Sequence, residues 1–258
     1  MSLATPQTPT LGRRLQDGAL SGAENMARDA ALLELREAPT LRFYRWQRPT
    51  LSLGYFQAAS ALPIEDFRLR GYEVVRRSTG GKAILHQHEL TYSLCLPESG
   101  SLRGGPAAAM TMIHLAIRAE LECQTGLAIS LRDGNPRSLA EKSGAHTPLR
   151  SDRSGSAWCF EDSSPLDLIL AQRKLLGSAA RRQRGWILFH GSLVIQRPET
   201  NPGVAALGLE PNLDALAAAL GRALGYVFHD GNWSPQELQA AALIRTKKYA
   251  CESFTQMR

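Results

Sequence analysis

A run of strand-like segments held between two amphipathic helices is the feature that most constrains this chain. From residue 41 the sequence reads LRFYRWQRPTLSLGYFQ, then YEVVRRSTGGKAILH, then LTYSLCLP. Apolar and aromatic residues alternate with basic or hydroxylated ones, and Pro49-Thr50, Gly80-Gly81 and Pro97 punctuate the runs. The first helix is expected to begin at Ser21. Ser21-Gly22-Ala23-Glu24 has capping-box spacing, and Met26, Ala30 and Leu33 continue at helical intervals. On the far side, Met110, Ile113, Ile117 and Leu121 form one apolar stripe that Gly126 can end. Strands resume with AWCF, LDLILAQRKLLGSA and GWILFHGSLVIQ. The last segments turn helical, with Leu213, Leu216, Leu220 and Leu224 on one face and a second capping box at Ser234-Pro235-Gln236-Glu237. The order helix, strands, helix, strands, helices predicts an α+β domain: a mixed β-sheet with flanking helices. Residues 1–13 are expected to be a flexible tail and 14–258 a single domain. Residues 132–156, rich in Ser, Arg, Gly and Pro, are expected to be a long surface loop.

Charge and cysteine usage narrow the setting. With 30 Lys and Arg against 24 Asp and Glu, the net charge is +6, which favours an acidic partner. No apolar run approaches the roughly 20 residues of a membrane span, and the polar N-terminus lacks a signal-peptide core, so a cytoplasmic protein without a membrane partner is expected. Cys95, Cys123, Cys159 and Cys251 show no paired spacing and read as free thiols in a reducing compartment. No helix-turn-helix segment precedes the domain, so a nucleic-acid partner is not expected.

Four segments can carry chemistry. In RRSTGGKAILH, adjacent glycines allow close backbone approach to a ligand, with Arg76, Arg77 and Lys82 supplying positive charge; a plain hairpin turn with solvated basic flanks fits the same residues. His86 and His88 share one face of a strand, but no third ligand follows at a recognisable spacing. No metal is expected, and one histidine reads as satisfied or catalytic and the other as exposed. His190-Gly191-Ser192 lies inside an apolar strand, where a histidine is either core or catalyst. Cys159 is either a small core residue or a nucleophile whose thiolate Lys174 favours.

Taken in order, LRFYRWQRPTLSLGYFQ, RRSTGGKAILHQHELTYS and QRKLLGSAARRQRGWILFHGSL closely resemble the lipoate-protein ligase and octanoyltransferase family, which shares its fold with biotin protein ligases. NMARD near residue 25 and KKYACESF near the end also fit, so the resemblance runs from about residue 14 to 256. It implies a biotin/lipoate protein ligase-like catalytic domain with an acyl-binding tunnel. Arg76, Arg77, Ser78, Gly80, Gly81 and His86 then correspond to the acyl-pocket loop. Lys174 corresponds to the motif lysine ahead of Gly177, Ser178 and Ala179, and His190 and Gly191 to a His-Gly signature. The family commonly has His-Asp where this chain has His86-Gln87, and Gly-Ser-Ala-Gln where it has Gly177-Ser178-Ala179-Ala180.

Two branches of the resemblance differ in chemistry. Ligases activate free lipoate with ATP and Mg and often carry a further C-terminal domain. Cysteine-dependent octanoyltransferases take the acyl group from acyl carrier protein onto their own cysteine. The Cys-Phe at Cys159, fifteen residues before the motif lysine, and the short C-terminal end favour the transferase, with no cofactor. The implied catalytic residues are Cys159 and Lys174. The implied partners are octanoyl-acyl carrier protein and the lipoyl domains of glycine cleavage H protein or 2-oxoacid dehydrogenase E2 subunits. The alternatives are an ATP-dependent lipoate-protein ligase, a relay enzyme between lipoyl domains, and a non-catalytic acyl-carrier-binding homologue.

Overall fold

The alternating block builds two sheets, and its glycine pair does not close a hairpin. The structure is a computed structural model that describes residues 9–132, 157–159, 164–198, 201 and 203–257. Its elements in chain order are β1 (Thr10–Leu20), α1 (Gly22–Leu35), β2 (Thr40–Trp46), β3 (Thr50–Leu53), α2 (Ile64–Leu69), β4 (Glu73–Arg76), β5 (Ile84–His86), β6 (Glu89–Pro97), α3 (Gly105–Thr125), β7 (Ile129–Leu131), β8 (Leu168–Leu170), β9 (Arg173–Gln183), β10 (Trp186–Val194), α4 (Leu213–Leu224), β11 (Tyr226–Asp230), α5 (Pro235–Ile244) and α6 (Glu252–Thr255). An eight-stranded mixed sheet has the order β11-β1-β2-β6-β10-β9-β8-β7, and a three-stranded sheet the order β4-β3-β5. β4 and β5 each pair with β3, β4 in parallel, so the chain from Arg77 to Ala83 is a crossing loop and the hairpin reading is corrected.

Alternation along the central strands sorts the two faces of the large sheet. Leu41 and Phe43 on β2, Leu94 and Leu96 on β6, and Ile187 and Phe189 on β10 pack under α3 and α4 in the main core. Between them, Leu188 and Cys95 meet Leu32 and Leu33 of α1 on the opposite face, and Tyr44 and Trp46 meet Met26. The helix signals hold locally. Ser21 Oγ accepts the Glu24 N–H, Gly126 ends α3 at φ +69°, and Ser234 and Glu237 close a full capping box on α5.

Three expectations change. Residues 10–13 belong to β1, which pairs in parallel with both β11 and β2, and are not part of a tail. Only Leu15 of β1 is fully buried, so the strand shows no apolar alternation. LDLILAQRKLLGSA is a hairpin of β8 and β9, turned by Ala171 and Gln172 at φ 49° and 61° without the usual Asn-Gly. Residues 157–159 make an isolated bridge from Trp158 to Ala83 in place of a strand. The loop expected at 132–156 lies, apart from Arg132, outside the described residues.

Candidate active site

Register across four strands lays the floor of a cleft between the two sheets. One row runs Tyr44–Thr91–Ser192–Gly177 and the next Arg42–Ser93–His190–Ala179, from β2 through β6 and β10 to β9. Arg77, Gly81, Ile84 and His86 from the small sheet and its crossing loop form one wall, and Met26 of α1 and Cys159 complete the lining. Counting its open mouth, the cleft spans about 450 Å³, and its lining is mostly apolar.

Cys159 is fixed over this cleft by backbone bonds. Its N–H donates to Ala83 O at 2.9 Å, and Ala83 N–H donates to Ala157 O at 3.0 Å. Lys174 reaches it through a bulge. The β8–β9 register slips between Leu168 and Ile169, so Leu175 and Leu176 both enter the main core and Lys174 comes to the side of Gly177. Lys174 Nζ stands 2.8 Å from Asp167 Oδ2, 3.1 Å from Cys159 O and 3.3 Å from Cys159 Sγ. A Cβ on Gly177 would lie 2.7 Å from Nζ, so glycine keeps this path open. Burial opposes the charge on Lys174, but the Cys159 sulfur and the Asp167 carboxylate outweigh it and raise its pKa above the ordinary lysine value.

Two buried histidine–carboxylate pairs lie deeper. His190 Nδ1 is 3.8 Å from Asp29 Oδ2, and its Nε2 is 2.6 Å from Thr79 Oγ1. Burial lowers its pKa despite Asp29, which favours the neutral ring. Asp29 also pairs with Arg42 at 2.7 Å and accepts from Tyr44 and Ser93 hydroxyls. His86 stacks on Trp46 with 3.9 Å between centroids, faces Glu89 Oε1 through Nδ1 at 2.6 Å, and meets Ser52 Oγ through Nε2 at 2.7 Å. Glu89 is therefore the carboxylate partner of His86, and the neighbouring Gln87 leaves its Oε1 without a partner. Ala180 packs against the α3-side core, on the face of the sheet away from the cleft.

The sequence candidates separate on this geometry. Cys159, Arg77, Gly81, His86, Gly177, Ser178, Ala179, His190 and Gly191 line the cleft, and Lys174 touches Cys159. Arg76 does not line it; its guanidinium donates to the carbonyls of Gly54, Gln57 and Thr255, fastening α6 to the small sheet. The Ser78 carbonyl accepts from Arg181 outside the cleft, and Gly80 O accepts from Arg77. Burial lowers the Arg77 pKa to about 10 against the opposing field of the Cys159 sulfur, and its Nε has no partner. His88 is exposed, and among the described residues no group of three or more His, Cys, Asp or Glu can hold a metal ion. Sequence reasoning missed Asp29, Trp46, Thr79, Glu89 and Asp167. The NMARD segment carries Asp29, four residues beyond Asn25 and hence on the same helix face.

Comparison with known proteins places the chain in a family. The family model of the lipoyl protein ligase A/B catalytic domain matches residues 21–200, which include Cys159, Lys174 and His190. An octanoyltransferase LipM of Symbiobacterium thermophilum is 33% identical over 94% of this chain and 97% of its own length. An octanoyltransferase LipM of Carboxydothermus hydrogenoformans is 43% identical over 69% of this chain; the match spans 62% of that protein, less than two thirds. Among solved structures, the bi-partite lipoate protein ligase of Thermoplasma acidophilum superposes with a TM-score of 0.70 over 96% of both chains, and at 18% identity what is shared is the fold. With a motif order, a fold and a family match that coincide over most of its length, the chain belongs to the lipoyl protein ligase A/B catalytic domain family.

Proposed function

We propose that the chain is an octanoyltransferase, moving an octanoyl group from acyl carrier protein to a lysine of a lipoyl domain through a Cys159 thioester. The observation that carries this is the Lys174 ammonium 3.3 Å from a cleft-lining thiol. The octanoyl-transferring relatives support the same reading. The Cys159 thiolate attacks the carrier thioester carbonyl, and the carrier sulfur leaves as a thiolate that takes a proton from solvent. Lys174 balances charge on the enzyme sulfur, and Arg77, which lines the cleft, adds positive charge near the carbonyl oxygen. The acyl chain lies along the apolar cleft, gaining about 0.8 kcal/mol per buried CH₂. The neutral acceptor lysine amine then attacks the acyl carbonyl, the carbon–sulfur bond to Cys159 breaks, the amine's proton passes to the departing sulfur, and the amide forms. Thioester to amide runs downhill, so the reaction needs no ATP and no other cofactor. The acceptors are the lipoyl domains of glycine cleavage H protein or of 2-oxoacid dehydrogenase E2 subunits. Their acidic character suits the net charge of +6.

The test is an octanoyl-transfer assay with carrier and lipoyl domain in the absence of ATP. The wild-type protein should modify the domain, and a folded Cys159→Ser variant should not. Full activity in that variant, or product only with ATP and free lipoate, would overturn the reading.

A further inference from the structure

Asp167 does not line the cleft, yet its carboxylate is buried with Lys174 at 2.8 Å, and both side chains are 3% exposed. A buried ion pair is weak evidence for stability, because well-packed apolar residues often do as well. The surroundings of this pair suggest a different use. Asp167 is itself held on three sides: its Oδ2 accepts from Ser164 N–H at 2.7 Å, its N–H donates to Ser164 O at 3.0 Å, and its carbonyl accepts from Arg132 N–H at 3.0 Å. An ammonium has three donors. Among the described residues the ammonium meets the fixed carboxylate, the Cys159 carbonyl and the Cys159 sulfur. The bulge at Leu175–Leu176 and the empty Cβ position of Gly177 clear the route between them.

We infer that Asp167 is a positioning residue for the acyl-transfer reaction: it anchors Lys174 so that the ammonium faces the Cys159 sulfur. The inference rests on the reading of Cys159 as the acyl carrier. Among the described residues, Arg77 and Lys174 are cations whose charge acts with the sulfur, and Asp167, Cys159 and His114 are titratable groups whose charge acts with Lys174.

The two roles open to Asp167 give opposite signs in one measurement. If Asp167 served only packing, Asp167→Asn would remove a nearby negative charge, and alkylation of Cys159 by iodoacetamide would occur at the same or a lower pH. If it holds Lys174, its loss frees the ammonium, and the alkylation midpoint rises by about one pH unit, a roughly tenfold smaller thiolate fraction below the midpoint. The full-length protein is alkylated across pH and the Cys159 peptide quantified by mass spectrometry. A raised midpoint with kcat reduced and carrier KM little changed supports the inference. A folded Asp167→Asn protein with an unmoved or lowered midpoint overturns it. Should that variant fail to fold, Asp167→Glu keeps the charge and shifts the carboxylate by one methylene; the midpoint should still rise, by less, and no rise overturns the inference. Because the readout is alkylation, a raised midpoint in a protein that never accepts octanoyl would sink the proposed function and leave standing only the anchoring of Lys174 against the Cys159 sulfur.

Discussion

Asp29–Arg42 and Asp167–Lys174 are both buried ion pairs at the cleft, but their hydrogen-bond capacity is spent differently. Arg42 is fully enclosed and donates to Asp17, Asp29 and Asn25, while Asp29 also accepts from Tyr44 and Ser93. That network ties α1 to β2 and β6. The second pair has a polarisable sulfur as one of its acceptors. On the proposed reading of Lys174, the contrast teaches that burial alone does not mark a catalytic charge. The mark is a cation that shares its donors between a fixed carboxylate and a reactive atom.

Perturbing each pair sharpens the difference. Lys174→Met leaves the Asp167 carboxylate buried without its cation and so costs stability too, but in the protein that stays folded transfer should fall at least about a hundredfold, since the sulfur loses its facing cation. Asp29→Ala should act on stability without that specific loss. It leaves Arg42 buried with a partner missing, costing about 3–5 kcal/mol in urea unfolding, and any activity loss should follow the unfolded fraction. Gly177→Ala should fall between, at about 1–3 kcal/mol of strain with a larger proportional loss of kcat, because the added methyl meets Lys174.

The smallest effect is in pH. Burial opposes the charges of Asp29 and Glu89, but Arg42 and His190 for one and His86 with two hydroxyls for the other hold both pKa values below the usual carboxylate range. Groups depressed in the folded state contribute stability that is full above the unfolded value of about 4 and is lost as pH falls through the folded values. Urea midpoints should therefore begin to fall below about pH 6.5, where the unfolded chain protonates histidines whose folded pKa values burial lowers at His190 and His114, and drop further below about 4; this second drop should shrink in Glu89→Gln.

What the sequence revealed follows from where its signals are periodic or ordered. The central strands and α1, α3, α4 and α5 showed themselves through alternation, apolar stripes and caps. The order of the motifs brought Cys159 and Lys174 together as candidates, 15 residues apart. β1 was hidden because Leu15 alone is fully buried. The β8–β9 hairpin was hidden because Ala171 and Gln172 adopt left-handed backbone without a turn signature. The bulge that turns Lys174 toward Cys159 leaves no trace, since Leu175 and Leu176 look alike whichever face they take. Asp29 and Asp167 are single acids whose meaning lies in cross-chain contacts. Arg76 and Arg77 are adjacent and chemically identical in sequence, and only the fold assigns one to carbonyls under α6 and the other to the cleft.

The most direct measurement is intact-protein mass spectrometry after mixing the protein with octanoyl-acyl carrier protein without ATP. The account predicts a mass gain of one octanoyl group, mapped to Cys159 and removed by hydroxylamine as a thioester should be. No adduct on Cys159, with modification appearing only when ATP and free lipoate are supplied, would contradict it and return that cysteine to a structural role.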